Sequence, residues 1–190
     1  MVFSSGWASG VNAYLVVLLL GAFGRVTDVA GIPDALTRTD VLVVAGVLYG
    51  MEFVADKIPY IDSTWDAIST AIRPTVGAVI ALLIAGDATT LEQAVLTTVG
   101  GGTALLSHAV KAGSRLAINT SPEPVTNIGA SLAEDVTVAG VISLAIYYPW
   151  IAFGVAATLL VLGLAVVYVL MRKIRSGWRR WKGRGQTSVA

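Results

Sequence analysis

Three carboxylates in this chain lie where an ionised group is hardest to hold. Glu52 falls about eleven residues into the apolar run 41–55, and the pair Glu134 and Asp135 falls about nine residues into the run 125–148. Both runs read as membrane-spanning helices, which puts each acid near the middle of a bilayer. A carboxylate at that depth costs at least ~2.5 kcal/mol on insertion scales, so the default reading is a functional site in a protein-lined or watery cavity. The chemistry such a site offers is the binding of a proton or a cation. Asp56 follows Glu52 by four residues and shares its helix face. Glu134 and Asp135 project about 100° apart, so at least one of them must face the bundle interior. There are blander readings. Asp56 and Lys57 can be anchors at the membrane edge, and Glu52 can pair with a base only to fix helix packing.

Bases stand ready to answer these acids. His108, Lys111 and Arg115 are spaced by three and four residues and form one basic stripe. With Lys57 and Arg73 they are candidate counter-charges or the lining of a vestibule. Lys111 and Arg115 could equally snorkel to headgroups, and a lone histidine is more often a structural residue than a proton shuttle. Gly100, Gly101 and Gly102 allow either close helix packing or a local break that frees backbone carbonyls. Asn12 is a candidate for that role in the first half of the chain. The expected ion-binding set is therefore Glu52, Asp56, Glu134, Asp135, Asn12 and His108. No metal is specified by these residues.

Six apolar segments must position this set: 6–24, 41–57, 74–86, 91–110, 125–148 and 149–171. A bilayer core needs ~20 apolar residues per helix, and the second and third segments are short of that. The amphipathic stretch 63–72 either extends the third segment backwards through Pro74 or ends where Pro74 opens a new helix. Ser63 with Asp66 resembles a capping box and suggests a helix start. The inside set of this topology is Lys57, Arg73, Lys111, Arg115 and seven basic residues in 172–184, eleven of the thirteen Lys and Arg. Only Arg25 and Arg38 fall outside. The positive-inside rule then places both termini in the cytoplasm.

The halves also rhyme. The first and fourth segments end in Arg25 and Arg115, the second and fifth carry the buried acids, and the third and sixth open at Pro74 and Pro149. This pattern predicts an all-α membrane protein with a three-plus-three inverted-topology repeat, of the kind that places transporter sites at the midplane. The expected organisation is one membrane domain over 1–175, with halves 1–88 and 89–175, and a basic cytoplasmic tail over 176–190. The tail, with Trp178 and Trp181, is expected on anionic lipid.

Composition agrees with that class. The chain of 190 residues is 55% hydrophobic and 13% charged, with a mean hydropathy of +0.76; soluble domains carry about 25% charged residues. There is no cysteine, which excludes disulfides and thiolate metal sites. No P-loop, GxSxG, HExxH or dinucleotide fingerprint occurs, so no cofactor is implied. The basic tail needs no nucleic acid to explain it.

The stretches EFVADKIPYIDSTWDA, IRP, HAVKAGSRLAINTSPEP and SLAEDV resemble the bacterial membrane family named domain of unknown function 4126, over nearly the whole chain from Gly10 to about Tyr168. The resemblance implies that these polar stretches belong to one polytopic fold of the bacterial inner membrane, and it supplies no activity. The residues themselves point to a small secondary transporter or channel-like permease for an ion or small solute, working as a homodimer. The alternatives are an accessory subunit of a larger membrane complex and an intramembrane enzyme acting on lipid. The enzyme lacks a nucleophile or ligand set beside its carboxylates.

Overall fold

The fold comes from a computed structural model, which describes residues 1–27, 29, 31–119 and 124–184. Among these, the side chains of residues 59, 60, 119, 124, 175 and 177–184 are not described. The expected roles of Trp178 and Trp181 therefore lie outside what the structure describes.

Every described element is helical. The order is α1 Val2–Val26, α2 Asp34–Thr37, α3 Thr39–Ala55, α4 Pro59–Ala85, α5 Thr90–Asn119, α6 Pro124–Tyr147 and α7 Pro149–Arg184. Proline opens α4, α6 and α7 at the first helical position, where its missing N–H loses nothing. Gly86 closes α4 with φ +52, a left-handed conformation that glycine adopts without steric cost. At α5 the Glu92 carboxylate accepts from the Thr89 backbone N–H at 3.0 Å and from its hydroxyl at 2.8 Å. That is the reciprocal capping of a T-x-x-E sequence.

One expected helix start changes, and one open choice resolves. Ser63 does not open a helix, because α4 begins at Pro59 and runs through it. Pro74 likewise lies inside α4. The third segment therefore extends backwards through the whole amphipathic stretch.

Among the described residues, four helices are long and apolar enough to cross a membrane: 2–26, 61–85, 125–147 and 149–174. Six crossings would need α3 and α5 as well. α3 has 17 residues, about 25 Å of helix, somewhat less than a hydrocarbon core of about 30 Å. α5 is long, but it carries His108, Lys111 and Arg115 within its length.

The molecule is arranged around α1. Every residue from Ser4 to Val16 is buried, and α1 packs against all the other helices. Its apolar residues point in every direction, as expected of a helix surrounded on all sides. Trp7, Val11, Leu15, Val16 and Leu20 meet Ile80 of α4, Val138 and Ile142 of α6 and Leu160 of α7 in one core. The closest packing uses small residues. A Cβ on Gly77 of α4 would lie 2.9 Å from the Gly100 carbonyl and 2.7 Å from Ala104 of α5. Gly6 and Gly10 of α1 press on Gly100, Thr103, Ala104 and Ser107. Small-xxx-small spacing of this kind lets backbones approach in a membrane. Within the triple glycine the packing falls to Gly100 and Gly101, and α5 is unbroken across all three.

The polar and apolar faces are turned inside out. On α4 the buried stripe is Asp62, Asp66, Ser69 and Arg73, while Ile61 and Ile68 are exposed. On α5 Ser107, His108, Lys111 and Arg115 are buried, while Leu105, Leu106 and Leu116 are exposed. Water would reverse both arrangements; a hydrocarbon surround explains them.

Candidate functional site: a buried charge network at an interrupted helix

The helix that breaks is α1, and it breaks at Asn12. Asn12 has φ −150 and ψ 96 inside an otherwise helical run. Its side-chain oxygen accepts from the Leu15 backbone N–H at 3.0 Å, three residues on. Asn12 therefore serves as an internal N-cap for the second half of α1. The first half ends in free carbonyls, and neighbouring helices supply the donors. Ser107 donates to the Trp7 carbonyl at 2.6 Å, Arg73 to the Gly10 carbonyl at 3.4 Å and Lys111 to the Val11 carbonyl at 3.2 Å. Two of these donors are cations, placed at the negative end of a half-helix where they are favoured.

Those cations also bind the acids. Arg73 donates to Glu52 at 2.6 Å and pairs with Asp66 at 3.1 Å. Lys111 pairs with Asp56 at 2.8 Å, Glu134 at 3.4 Å and Glu52 at 3.5 Å. Arg115 grips Glu134 with two bonds of 3.0 and 2.7 Å, the bidentate geometry that guanidinium and carboxylate share. It also donates to the Asp56 carbonyl at 3.1 Å and the Asn127 carbonyl at 3.4 Å, tying α5 to α3 and α6. Glu52, Arg73, Lys111 and Arg115 are all essentially inaccessible. By helix rise, Arg115 and Lys111 lie about 6 and 12 Å from the end of α5, and Glu134 lies about 15 Å from the start of α6.

His108 is locked in this network. Its Nδ1 lies 2.8 Å from an Arg73 nitrogen, and guanidinium can only donate. Nδ1 therefore accepts, and the ring proton sits on Nε2. That atom lies 3.0 Å from the Thr70 hydroxyl, which itself donates to the Asp66 carbonyl at 3.0 Å. The hydrogen-bond directions fix a neutral ring. A proton passed to His108 would also stop at Arg73, which never gives one up.

Asp135 is treated differently from the other acids. It accepts from the Asn12 amide at 3.0 Å and from the Tyr49 hydroxyl at 3.2 Å, and among the described residues it joins no ion pair. Six carboxylates, those of Glu52, Asp56, Asp62, Asp66, Glu134 and Asp135, stand within electrostatic reach of Arg73, Lys111 and Arg115, and Lys57 reaches Asp56 and Asp135 in the same way.

Nine of the ten residues expected from sequence thus come together: Glu52, Asp56, Glu134, Asp135, Asn12, His108, Arg73, Lys111 and Arg115. Lys57 stands apart from the ion pairs. Its ammonium donates to the Phe53 carbonyl at 2.7 Å and lies 2.9 Å from the Phe53 ring centre. Glu52 and Glu134 are joined through Lys111, which reaches both. They are not free acids, since a base reaches each. Sequence reasoning missed Asp66, Thr70, Ser107, Asn127 and Tyr49 as members. Asp66, Thr70 and Arg73 follow one another at i, i+4 and i+7, and that spacing was the available signal.

These features define a helical membrane protein built around a buried ion-pair network. The family model described as Domain of unknown function (DUF4126) matches residues 1–169, and the chain belongs to that family. No curated protein and no solved structure matches the chain.

Proposed function

We propose that this protein is a small permease that moves a proton or small cation across the membrane, and that Asp135 is the group that exchanges it. The observation that carries this reading is the pairing of Asp135 with Asn12 at the interruption of α1. An intramembrane acid whose hydrogen bonds, among the described residues, come from neutral donors, at a helix break, is the arrangement in which an ion can be bound and released. Glu52, Asp56 and Glu134, locked to Arg73, Lys111 and Arg115, hold the surrounding field fixed. In this reading α3 and α5 also cross, giving six spans with both termini inside the bacterial cytoplasmic membrane. The three-plus-three repeat rests on the rhyme of the two halves, and the working unit is a homodimer.

The test is ion flux into liposomes containing purified protein. Asp135→Asn keeps both hydrogen-bonding neighbours and removes the titrating charge. It should abolish flux without changing helicity or thermal stability in detergent. Undiminished flux in Asp135→Asn sinks the assignment.

A second reading, an accessory subunit, draws on the tightness of the buried pairs together with the exposed apolar length of α7, where only 11% of the spanning window is buried. If the protein conducts nothing alone and co-purifies from membranes with a stoichiometric larger partner, that reading replaces the first.

A further inference from the structure

A cleft opens between α4 and α5 beside the network. It has a volume of about 200 Å³ and is lined by Ser63, Asp66, Thr70, Ala112, Arg115 and Leu116. At ~30 Å³ per water it has room for several. Ser63 lies four residues inside the start of α4, and Leu116 lies three residues before the end of α5. The cleft therefore begins at the membrane face shared by the α3–α4 and α5–α6 connections. Its inner wall is the network itself. Thr70 touches His108, and Asp66 pairs with Arg73, whose other partner is Glu52. Arg115 also reaches the cleft, but Glu134 holds it by two bonds. The acid of the lining is Asp66, which shares Arg73 with Glu52.

We propose that this cleft is an aqueous antechamber that draws small cations from one membrane face to the buried network, with Asp66 as its recognising carboxylate. The proposal rests on the permease reading for its purpose, though not for its existence. Thr70 belongs to its wall, and behind Thr70 lies the neutral His108 ring. Hydrogen-bond directions there forbid a proton from hopping onward through Arg73, so the antechamber concentrates the ion and does not relay it through that wall.

The absence of cysteine makes the test direct. Ala112→Cys, in intact protein in oriented vesicles, is exposed to two small membrane-impermeant thiosulfonates, one cationic and one anionic. The control is Val161→Cys, on a face of α7 that is 65% exposed but apolar. Thiosulfonates need a hydrated thiolate. Ala112→Cys should react from one face only, at least ~10-fold faster than the control, and about 3-fold or more faster with the cationic reagent, as one nearby carboxylate dictates. Asp66→Asn should erase that preference. Added salt should weaken it in the parent, a measurement that stands even where Asp66→Asn does not fold. If Ala112→Cys reacts no faster than Val161→Cys, the cleft holds lipid and the antechamber is wrong. Equal rates for the two reagents remove Asp66 from its role. Labelling as expected in a protein that shows no flux in liposomes leaves the antechamber standing and overturns the permease.

Discussion

Lys111 shows how much can depend on one ammonium group. It touches Glu52, Asp56, Glu134 and the Val11 carbonyl, so three helices and the interruption of α1 meet on it. Removing one partner of a buried pair leaves an uncompensated charge and costs about 3–5 kcal/mol. Lys111→Met should lower the unfolding temperature in detergent accordingly, and adding Asp56→Asn should restore part of the loss. If the two substitutions simply add, the pair is not coupled. The cost of charge in apolar runs made these acids and bases visible in the sequence. The pairing was not visible, because one residue turns a helix by about 100°. That turn sends Glu134 to Arg115 and its neighbour Asp135 to Asn12. His108 illustrates the same limit. Its lack of a shuttle role follows from a tautomer that only the partners reveal, and His108→Gln, which can still accept from Arg73, should retain more stability than His108→Leu in the same unfolding measurement.

Among the elements, α5 gives the sharpest contrast, since its three consecutive glycines have three different surroundings. A Cβ on Gly100 would be 2.6 Å from the Gly77 carbonyl, one on Gly101 would be 3.1 Å from Ala78, and one on Gly102 would meet nothing within 4 Å. Gly102→Ala should therefore raise thermal stability by up to about 1 kcal/mol through helix propensity alone. Gly100→Ala should lower it by about 1–3 kcal/mol through overpacking. Equal effects at the two positions would mean that α4 and α5 do not pack as closely as described. Sequence offered two readings of this triplet, and propensity could not choose, since a glycine weakens a helix whether it packs or breaks. The break went to Asn12 because a side chain there can cap the second half-helix. At Pro74 the outcome was open for a similar reason. Proline disfavours a helix interior, yet buried Arg73 beside it is anchored by Glu52, Asp66 and His108, and tertiary contacts hold the helix through the fault. Ser63 with Asp66 looked like a cap, but Asp66 is committed to Arg73, while the true box at Thr89 and Glu92 has nothing else to bind.

On the scale of the whole molecule, the distribution of charge sets the orientation. Arg73, Lys111 and Arg115 are buried in the ion-pair network and drop out of the loop count, yet Lys57 and the seven basic residues of 172–184 still fall on one side, against Arg25 and Arg38 on the other, if six segments cross. A reporter fused after Ala190 should then be active only in the cytoplasm, and external activity would reverse the assignment. Class and helical content were legible from composition and from apolar runs. The centrality of α1 was not, because a helix apolar all round reads the same whether lipid or protein surrounds it. Its serines hinted otherwise: Ser4, Ser5 and Ser9 are fully buried.

That centrality bears on how the chain is made. α1 precedes in sequence every helix that later encloses it, and Asn12 finds Asp135 only 123 positions downstream. While synthesis proceeds, the Trp7, Gly10 and Val11 carbonyls have neither Ser107, Arg73 nor Lys111 to answer them. An uninterrupted helix is then the cheaper state for α1, because it satisfies its own backbone in lipid. Bending at Asn12 becomes favourable only when α4, α5 and α6 have arrived. Maturation should thus include a late rearrangement of α1, and a nascent chain stalled before α6 should carry α1 straight, its Asn12 amide still awaiting a carboxylate.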